Sequence, residues 1–508
     1  MKYLLVAASA FAFSQGHAAD AYFSGTLAGD SLTAADTFNS SANWQDIDKN
    51  PIGSLPTSSD NVFIDGNYIT FGSGNTRIYA TSSLSMGKLT VRNLSSSSTS
   101  KNVQFAINGK YDLTFAGFDY IRSSTSGDII LGIATLAGSQ GTFTFNGDVN
   151  AGKATDTGVK GALHFGAGGD QNWSGWGGPS KVTVNGDFNL YGTNCNFNVG
   201  VGSSDGKSGN ATYDNADVTI SGVMNLVNAN GLNPIVTLNQ RGSGAYNGVR
   251  TKYILNTVIA VGGLSGNGIL TNNTNNSSYN WGKGSATLVL NNESGSSYSF
   301  AGYVRDDNNK TSIATTETVT KLVMRGAGTQ IFSHASELTF TGGVEVLNGT
   351  LQLNYGTQTN HGDLLISGGK FMNYTAATAN NVNFTNLIFN GGSIGARWDG
   401  STLDVITLSK FFQKGDTFAE GSKLFFHISG DLMSLVSNEQ KLVSWDNLLY
   451  ATDLAESDFA ATALEGYEAI FEIKDDGLYI SYAIPEPSTI AAIFGVFALG
   501  FAFARRKK

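Results

Sequence analysis

The sequence predicts an all-β chain: an elongated parallel β-helix (β-solenoid) with a C-terminal capping region, an N-terminal signal peptide and one C-terminal transmembrane helix. Three observations carry this. An apolar–polar alternation broken by Asn-Gly, Ser-Gly or Thr-Gly returns along the chain; glycine is abundant, 63 of 508 residues against 6 prolines; and no long helical pattern lies between the alternating segments. In order, the chain divides into a signal peptide (1–18), an N-terminal cap (19–80), solenoid repeats (81–400), a C-terminal cap (401–483) and a tail (484–508) that holds the transmembrane helix 490–504.

Residues 1–18 have the form of a secretory signal. Lys2 supplies the positive start, Tyr3 to Phe13 the apolar run, and Gly16-His17-Ala18 the small-residue site, with cleavage between Ala18 and Ala19. Signal peptidase and the general secretion machinery are the partners this implies. The single cysteine, Cys195, excludes an intramolecular disulfide, so an exported chain of this kind must be held by hydrogen bonds and stacking. At 41% hydrophobic and 11% aromatic it has enough apolar surface to fold. Taking Lys2 and the four terminal cations from the 31 Lys+Arg leaves 26 against 40 Asp+Glu, an acidic body that nucleic acid does not suit. The segment 41–67, with its prolines and polar residues, is expected to close the first coil.

The alternating segments are "FAINGKYDL" (105–113), "FTFNGDV" (143–149), "VTVNGDFNL" (182–190), "VTISGVMNL" (218–226), "LTFTGGVEV" (338–346), "LLISGGKF" (364–371) and "LIFNGGSI" (387–394). Their turn glycines fall at 109, 147, 186, 222, 342, 368 and 391. Early spacings of 36 to 39 and later ones of 26 and 23 fit stacked coils with insertions in the first half. The Gly pairs mark tight turns with positive φ, and either of two architectures uses them. If each closes a hairpin the chain is an antiparallel sandwich; if each marks a corner the strands stack in parallel, with Gly where coils approach closely. The second is favoured, because no hydrophobic run is large enough for one globular core of 450 residues.

From Ser401 glycine thins out. Residues 437–459 have the length and charge pattern of a short helix with its surroundings, and 467–484 that of a hairpin with Asp476-Gly477 in the turn. A polar cap here would stop coils from adding end to end. Beyond it, 490–504 is uncharged for fifteen residues, about 22 Å as a helix, and Arg505, Arg506, Lys507 and Lys508 stop it on the cytoplasmic side. Pro485 and Pro487 keep the approach to that span extended and accessible.

Pro485-Glu486-Pro487, a short apolar helix and a terminal Arg/Lys cluster, in that order, resemble the PEP-CTERM sorting signal of Gram-negative bacteria. The resemblance implies recognition by an exosortase-like membrane transpeptidase, which removes the tail, and hence an inner-membrane intermediate with a cytoplasmic C-terminus that ends at the cell surface or outside. Separately, "KLVMRGAGTQIFSHASELTFTGGVEVLNGTLQLN" (321–354) is similar to the autotransporter-associated β-strand repeat, and "GGLSGNGIL" (262–270) to another segment of such proteins. That likeness implies an extracellular solenoid stalk and no reaction.

The candidate chemistry is sparse. Gly391-Gly392-Ser393-Ile394-Gly395 and Gly202-Ser203-Ser204-Asp205-Gly206 match a nucleophile elbow, but no helix is expected after either. His164, His334, His361 and His427 have no ligand spacing, so neither a metal nor a cofactor is expected. Asp306-Asp307 and Asp475-Asp476 fit turns. Trp173 and Trp176, in a glycine-rich segment, are the candidate glycan contact, with exopolysaccharide as the partner. The expectation is a non-enzymatic surface or matrix protein. A polysaccharide-active β-helix, which needs carboxylates converging on one coil face, and a glycan-binding module stay open beside it.

Overall fold

The computed structural model describes residues 19–25, 37–69, 75–92, 101–107, 109–121, 129–135, 140–153, 161–165, 180–192, 195–199, 217–228, 234–238, 257–272, 284–306, 318–333, 338–354, 360–373, 381–446, 451 and 453–485. Over these the chain is all-β, and its helical pieces are 3-10 turns at Ser41–Asn43, Leu432–Leu435 and Glu456–Asp458.

The strands stack in register on three faces, which the chain visits in rotation. The first face begins at Asn61–Asp65, Leu89–Arg92 and Phe118–Ile121, each parallel to the next. A second face runs through Asn75–Ala80, Lys101–Ile107 and Ile129–Thr135. The third holds Leu84–Met86, Lys110–Phe115 and Gln140–Phe145. The sequence alternation therefore marks parallel strands with corners between them, as a β-solenoid requires. Where the third and first faces meet the corner is tight: Asp217–Val227 serves both, with a register shift between Ile220 and Val223 at the "ISGV" bend.

Alternation points one residue of each pair inward. Phe105 packs between Phe38 and Phe143 at ring distances of 4.6 and 5.6 Å, and Phe115, Phe145 and Phe165 follow at 5.8 and 6.1 Å. All are buried. Each buried Phe, Leu, Ile or Val contributes roughly 1.5–3 kcal/mol relative to exposure, so the narrow core is stabilised coil by coil and needs no single centre.

Both ends close in the same way. At the N-terminal end Asp20–Phe23 lies parallel on Asn61–Asp65, Trp44–Gln45 runs antiparallel on it, and Phe23, Phe38 and Trp44 fill the mouth of the coil. At the other end Gly477–Ala483 runs antiparallel to Gln440–Ser444 and forms a hairpin with Glu468–Lys474, over Trp445, Phe459 and Phe471. At each end a reversed strand terminates the parallel ladder of one sheet, which removes that edge as a template for adding another coil.

Four expectations change. First, 437–459 carries no α-helix in its described residues. Gln440–Ser444 is a strand whose Val443 pairs with Ile406, and burial of Leu442 and Val443 outweighs the helical charge spacing. Second, Lys474 faces Gly477, so the hairpin turn is Asp475-Asp476 and Gly477 opens the returning strand. Third, parallel stacking starts at Asp20–Phe23 on Asn61–Asp65 and continues to Phe459–Ala461, so the segments expected as caps, 19–80 and 401–483, each contribute coil strands. Fourth, only Gly109 (φ +132°) and Gly391 (φ +138°) of the seven turn glycines have positive φ. The expected transmembrane helix 490–504 and the signal 1–18 lie outside the described residues; among those described, no helix is long and apolar enough to cross a membrane.

Candidate functional site

Gly147, Gly186 and Gly222 of the turn glycines, and Gly262 with them, are explained by contact between coils. A Cβ on Gly147 would sit 2.5 Å from Ala116 O, one on Gly186 2.6 Å from Gly147 C, one on Gly222 2.5 Å from Gly186 O, and one on Gly262 2.0 Å from Ser221 O. The glycines stack in a column in which each leaves room for the backbone of the coil before it. Around them, Asn185 Nδ2 donates to Asn146 Oδ1 at 3.0 Å, while Asp148 and Asp187 accept the main-chain N–H of Asp187 and Val223 at 2.9 and 2.8 Å. Each Asn-Gly-Asp thus supplies a side-chain rung, a close approach and a backbone acceptor.

On the outward side of the first face runs an amide ladder. Lys88 pairs with Asp119 at 2.7 Å, Asn150 donates to Asp119 at 2.9 Å, Asn189 to Asn150 at 2.9 Å, Asn225 to Asn189 at 2.8 Å, and Ser265 to Asn225. Its signal in the sequence is an Asn flanked by two apolar residues, as in Phe188-Asn189-Leu190. The third face differs. Ser85, Thr114, Thr144, Thr183 and Thr219 occupy one outward column in successive coils, partly or fully exposed. Their hydroxyls make no hydrogen bond among the described residues, so donors and acceptors repeat at about 4.8 Å with no described group to satisfy them.

The two chain exits bracket this body. Ala19 is exposed, its N–H directed at Asp60 Oδ1 at 3.3 Å, one residue before the first strand. The last strand ends at Ala483, after which Ile484 is 72% exposed and Pro485 is exposed. Tyr482 anchors that strand through its hydroxyl, which donates to Thr462 O at 2.6 Å; burial pushes the phenol up to about 12. Hairpin charges pair locally: Lys474 with Glu439 at 2.5 Å and Lys441 with Asp476 at 2.6 Å, a bond that holds Asp476 below the usual carboxylate range.

Of the other candidates, Ala18, Glu486, Pro487, Arg505, Arg506, Lys507, Lys508, Trp173, Trp176, His334, Asp307 and residues 202–206 lie outside the described residues. Ser393 begins a strand paired with Lys370 on one side and Phe425 on the other, so Gly391-Gly392 is a coil corner that leads into a strand, with no helix after it. His164 lies in a second-face strand. His427 is exposed beside Phe425, its pKa lowered by partial burial and by Lys370. His361 is wholly buried: Nδ1 donates to Phe340 O at 3.1 Å, Nε2 has no partner, and burial takes its pKa down to about 4. Asp306 accepts from Thr341 Oγ1 and Thr320 N, both at 2.6 Å, yet burial raises it to about 6. Among the described residues no group of three or more His, Cys, Asp or Glu is placed to hold a metal ion.

Gln330 was not foreseen as important. It is wholly buried, and its side chain reaches Leu264, 66 residues earlier.

No protein-family model, curated protein or solved structure matches this chain.

Proposed function

We propose that the chain is an exported structural or adhesive protein of the bacterial cell surface or extracellular matrix. It is held briefly in the inner membrane by residues 490–504, with Arg505, Arg506, Lys507 and Lys508 on the cytoplasmic side. An exosortase-like transpeptidase then processes it at Pro485-Glu486-Pro487. What supports this reading is where the fold begins and ends. Among the described residues the first strand starts at Asp20 and the last stops at Ala483, so cleavage after Ala18 and near Pro485 would remove none of the described strands. The exposure of Ile484 and Pro485 suits an enzyme approaching this end of the body, while capped ends and a coil-by-coil core suit a stalk that works as a monomeric rod.

Intact-mass analysis of protein recovered from the medium or the cell surface tests this. A mass matching loss of both 1–18 and the tail supports the proposal, and a full-length chain with both termini intact overturns it.

A second reading, glycan binding, is favoured by the free hydroxyl column of the third face. Exopolysaccharide is the partner it implies, with Trp173 and Trp176 as further candidate contacts.

A further inference from the structure

Five Asn-Gly dipeptides lie within the described residues: 146–147, 185–186, 267–268, 348–349 and 390–391. Glycine leaves its own nitrogen unshielded, so each is chemically open to attack by that nitrogen on the asparagine side chain. The fold separates them. Asn146 and Asn185 bond to each other across coils at 3.0 Å. Asn267 Oδ1 accepts from Asn228 N at 3.1 Å. Asn390 is held twice, donating to Ser367 Oγ at 3.2 Å and accepting from Thr417 N at 3.1 Å. Each of these amides is fixed on a neighbouring coil.

Asn348 is exposed, and its amide turns the other way. Its Oδ1 accepts from the N–H of Gly349, the next residue, at 2.8 Å, and among the described residues it has no partner on another coil. Cγ is one C=O bond further, about 1.2 Å, and so lies within about 4 Å of that nitrogen. Gly349 holds φ +57°, a conformation in which a larger residue would be strained, and it donates no other hydrogen bond.

We propose that Asn348-Gly349 is a self-modification site, at which succinimide closure runs ahead of every other described Asn-Gly. The Gly349 nitrogen, having lost its proton to solvent base, attacks Asn348 Cγ. The N–Cγ bond forms, the Cγ–Nδ2 bond breaks, and Nδ2 leaves as ammonia with a proton from solvent. Water then opens the ring at Cγ to give aspartate, or at the Asn348 main-chain carbonyl to give isoaspartate. No oxidation or reduction occurs. Either product adds a negative charge, and isoaspartate lengthens the main chain by one methylene. That lengthening falls between two bonds that set coil register, Leu347 N to Met324 O at 2.8 Å and Thr350 N to Gly328 O at 2.9 Å. The site therefore converts time outside the cell into a local loosening of Thr350–Leu353.

The test is peptide mapping by mass spectrometry of purified full-length chain held in mildly alkaline buffer, folded and in guanidinium chloride. In the folded protein Asn348 deamidates about tenfold faster than Asn146, Asn185, Asn267 or Asn390, a barrier difference of about 1.4 kcal/mol. In denaturant the five rates converge. An Asn348 rate no greater than those of the other four, or a gap that persists unchanged in denaturant, overturns the proposal. Asn348→Gln removes the early acidic species on ion exchange and leaves the unfolding midpoint unchanged. If the same species still forms at the same rate in that variant, the assignment is wrong.

Discussion

The side-chain amide of Gln330 stands in for a strand of the coil. Its Oε1 accepts from Leu264 N at 3.0 Å and its Nε2 donates to Leu264 O at 2.8 Å, although one coil lies between them in sequence. The strand that should pair there, Ser297–Phe300, meets Thr257–Gly266 only at Gly266 and Phe300, and the ring of Tyr298 occupies the space beside Gly263. Asn292 completes the cluster by donating to Gln330 Oε1 at 3.3 Å and to Thr329 O at 2.8 Å.

Gln330→Leu keeps the volume and removes both bonds, leaving a buried N–H and C=O of Leu264 unsatisfied. At roughly 1–3 kcal/mol for each group, the variant is expected to lose about 2–6 kcal/mol. Gln330→Glu retains an acceptor but buries a charge facing the Leu264 carbonyl, and should lose more. Chemical denaturation followed by circular dichroism measures both. A Leu variant within 0.5 kcal/mol of wild type, on the order of an ordinary surface change, would show that the amide pairing is incidental.

Gly186→Ala tests the glycine column. The new Cβ would lie 2.6 Å from Gly147 C and 2.7 Å from Asp148 N, both main chain, so two coils must separate. Overpacking of this kind costs about 1–3 kcal/mol. Gly147→Ala, against Ala116 O at 2.5 Å, should behave alike. Gly53→Ala is the contrast: φ is +71° and nothing lies within 4 Å, so only the left-handed backbone is penalised, by about 1 kcal/mol. Equal losses at Gly186 and Gly53 would mean that conformation, not contact, selects the corner glycines.

These sites show what the sequence could and could not disclose. Corners and inward residues were legible because alternation and Asn-Gly are local features, each read within nine residues. Close approach between coils was expected of the glycines, yet the positive φ also expected of them holds at only Gly109 and Gly391, since stacking rather than turning is the constraint at Gly147, Gly186 and Gly222. Gln330 was invisible because its partner is 66 residues away and two coils below, a relation no local pattern encodes. The strand at Gln440–Ser444 was misread for a related reason: its own charges fit a helix, and the ladder onto Val405–Leu408 decides otherwise. The amide ladder could have been found, since Asn150, Asn189 and Asn225 each sit between apolar neighbours.

Asn189 both donates to Asn150 and accepts from Asn225. Asn189→Ala should cost about 1–2 kcal/mol, with typical net values near 1 kcal/mol per bond. A double-mutant cycle with Asn150→Ala should return a coupling of about 0.5–1 kcal/mol, the range for residues in one hydrogen-bond network. Strict additivity would indicate rungs that solvent replaces without loss.

Thr144→Val and Thr183→Val together delete two hydroxyls that bond to nothing among the described residues and keep the side-chain shape. Unfolding should change by less than about 0.5 kcal/mol, as for surface substitutions generally. If the third face meets glycans, retention on immobilised exopolysaccharide should fall while stability holds. Unchanged retention removes that face from the glycan reading.

His361 and Asp306 carry opposite pH dependences and are linked through one short segment. Phe340 O accepts from His361, and the next residue, Thr341, donates to Asp306. Burial lowers His361 from 6.5 to about 4, so its contribution is complete above pH 6.5 and is lost as pH falls through 4. Burial raises Asp306 from 3.8 to about 6, so the folded state takes up a proton first and gains stability as pH falls from above 6 toward 3.8. At 1.36 kcal/mol per pH unit the histidine shift corresponds to roughly 3 kcal/mol; partial exposure of Asp306 reduces its share to about 2 kcal/mol. The two nearly cancel, and wild type should change little from these groups between neutral and mildly acidic pH. Each single variant exposes the other. Measured against wild type at each pH, His361→Phe should become relatively more stable on acidification by about 3 kcal/mol, and Asp306→Asn relatively less stable by about 2 kcal/mol. Denaturant midpoints across that pH range decide the matter: if both variants run parallel to wild type, neither group titrates on unfolding and the compensation does not exist.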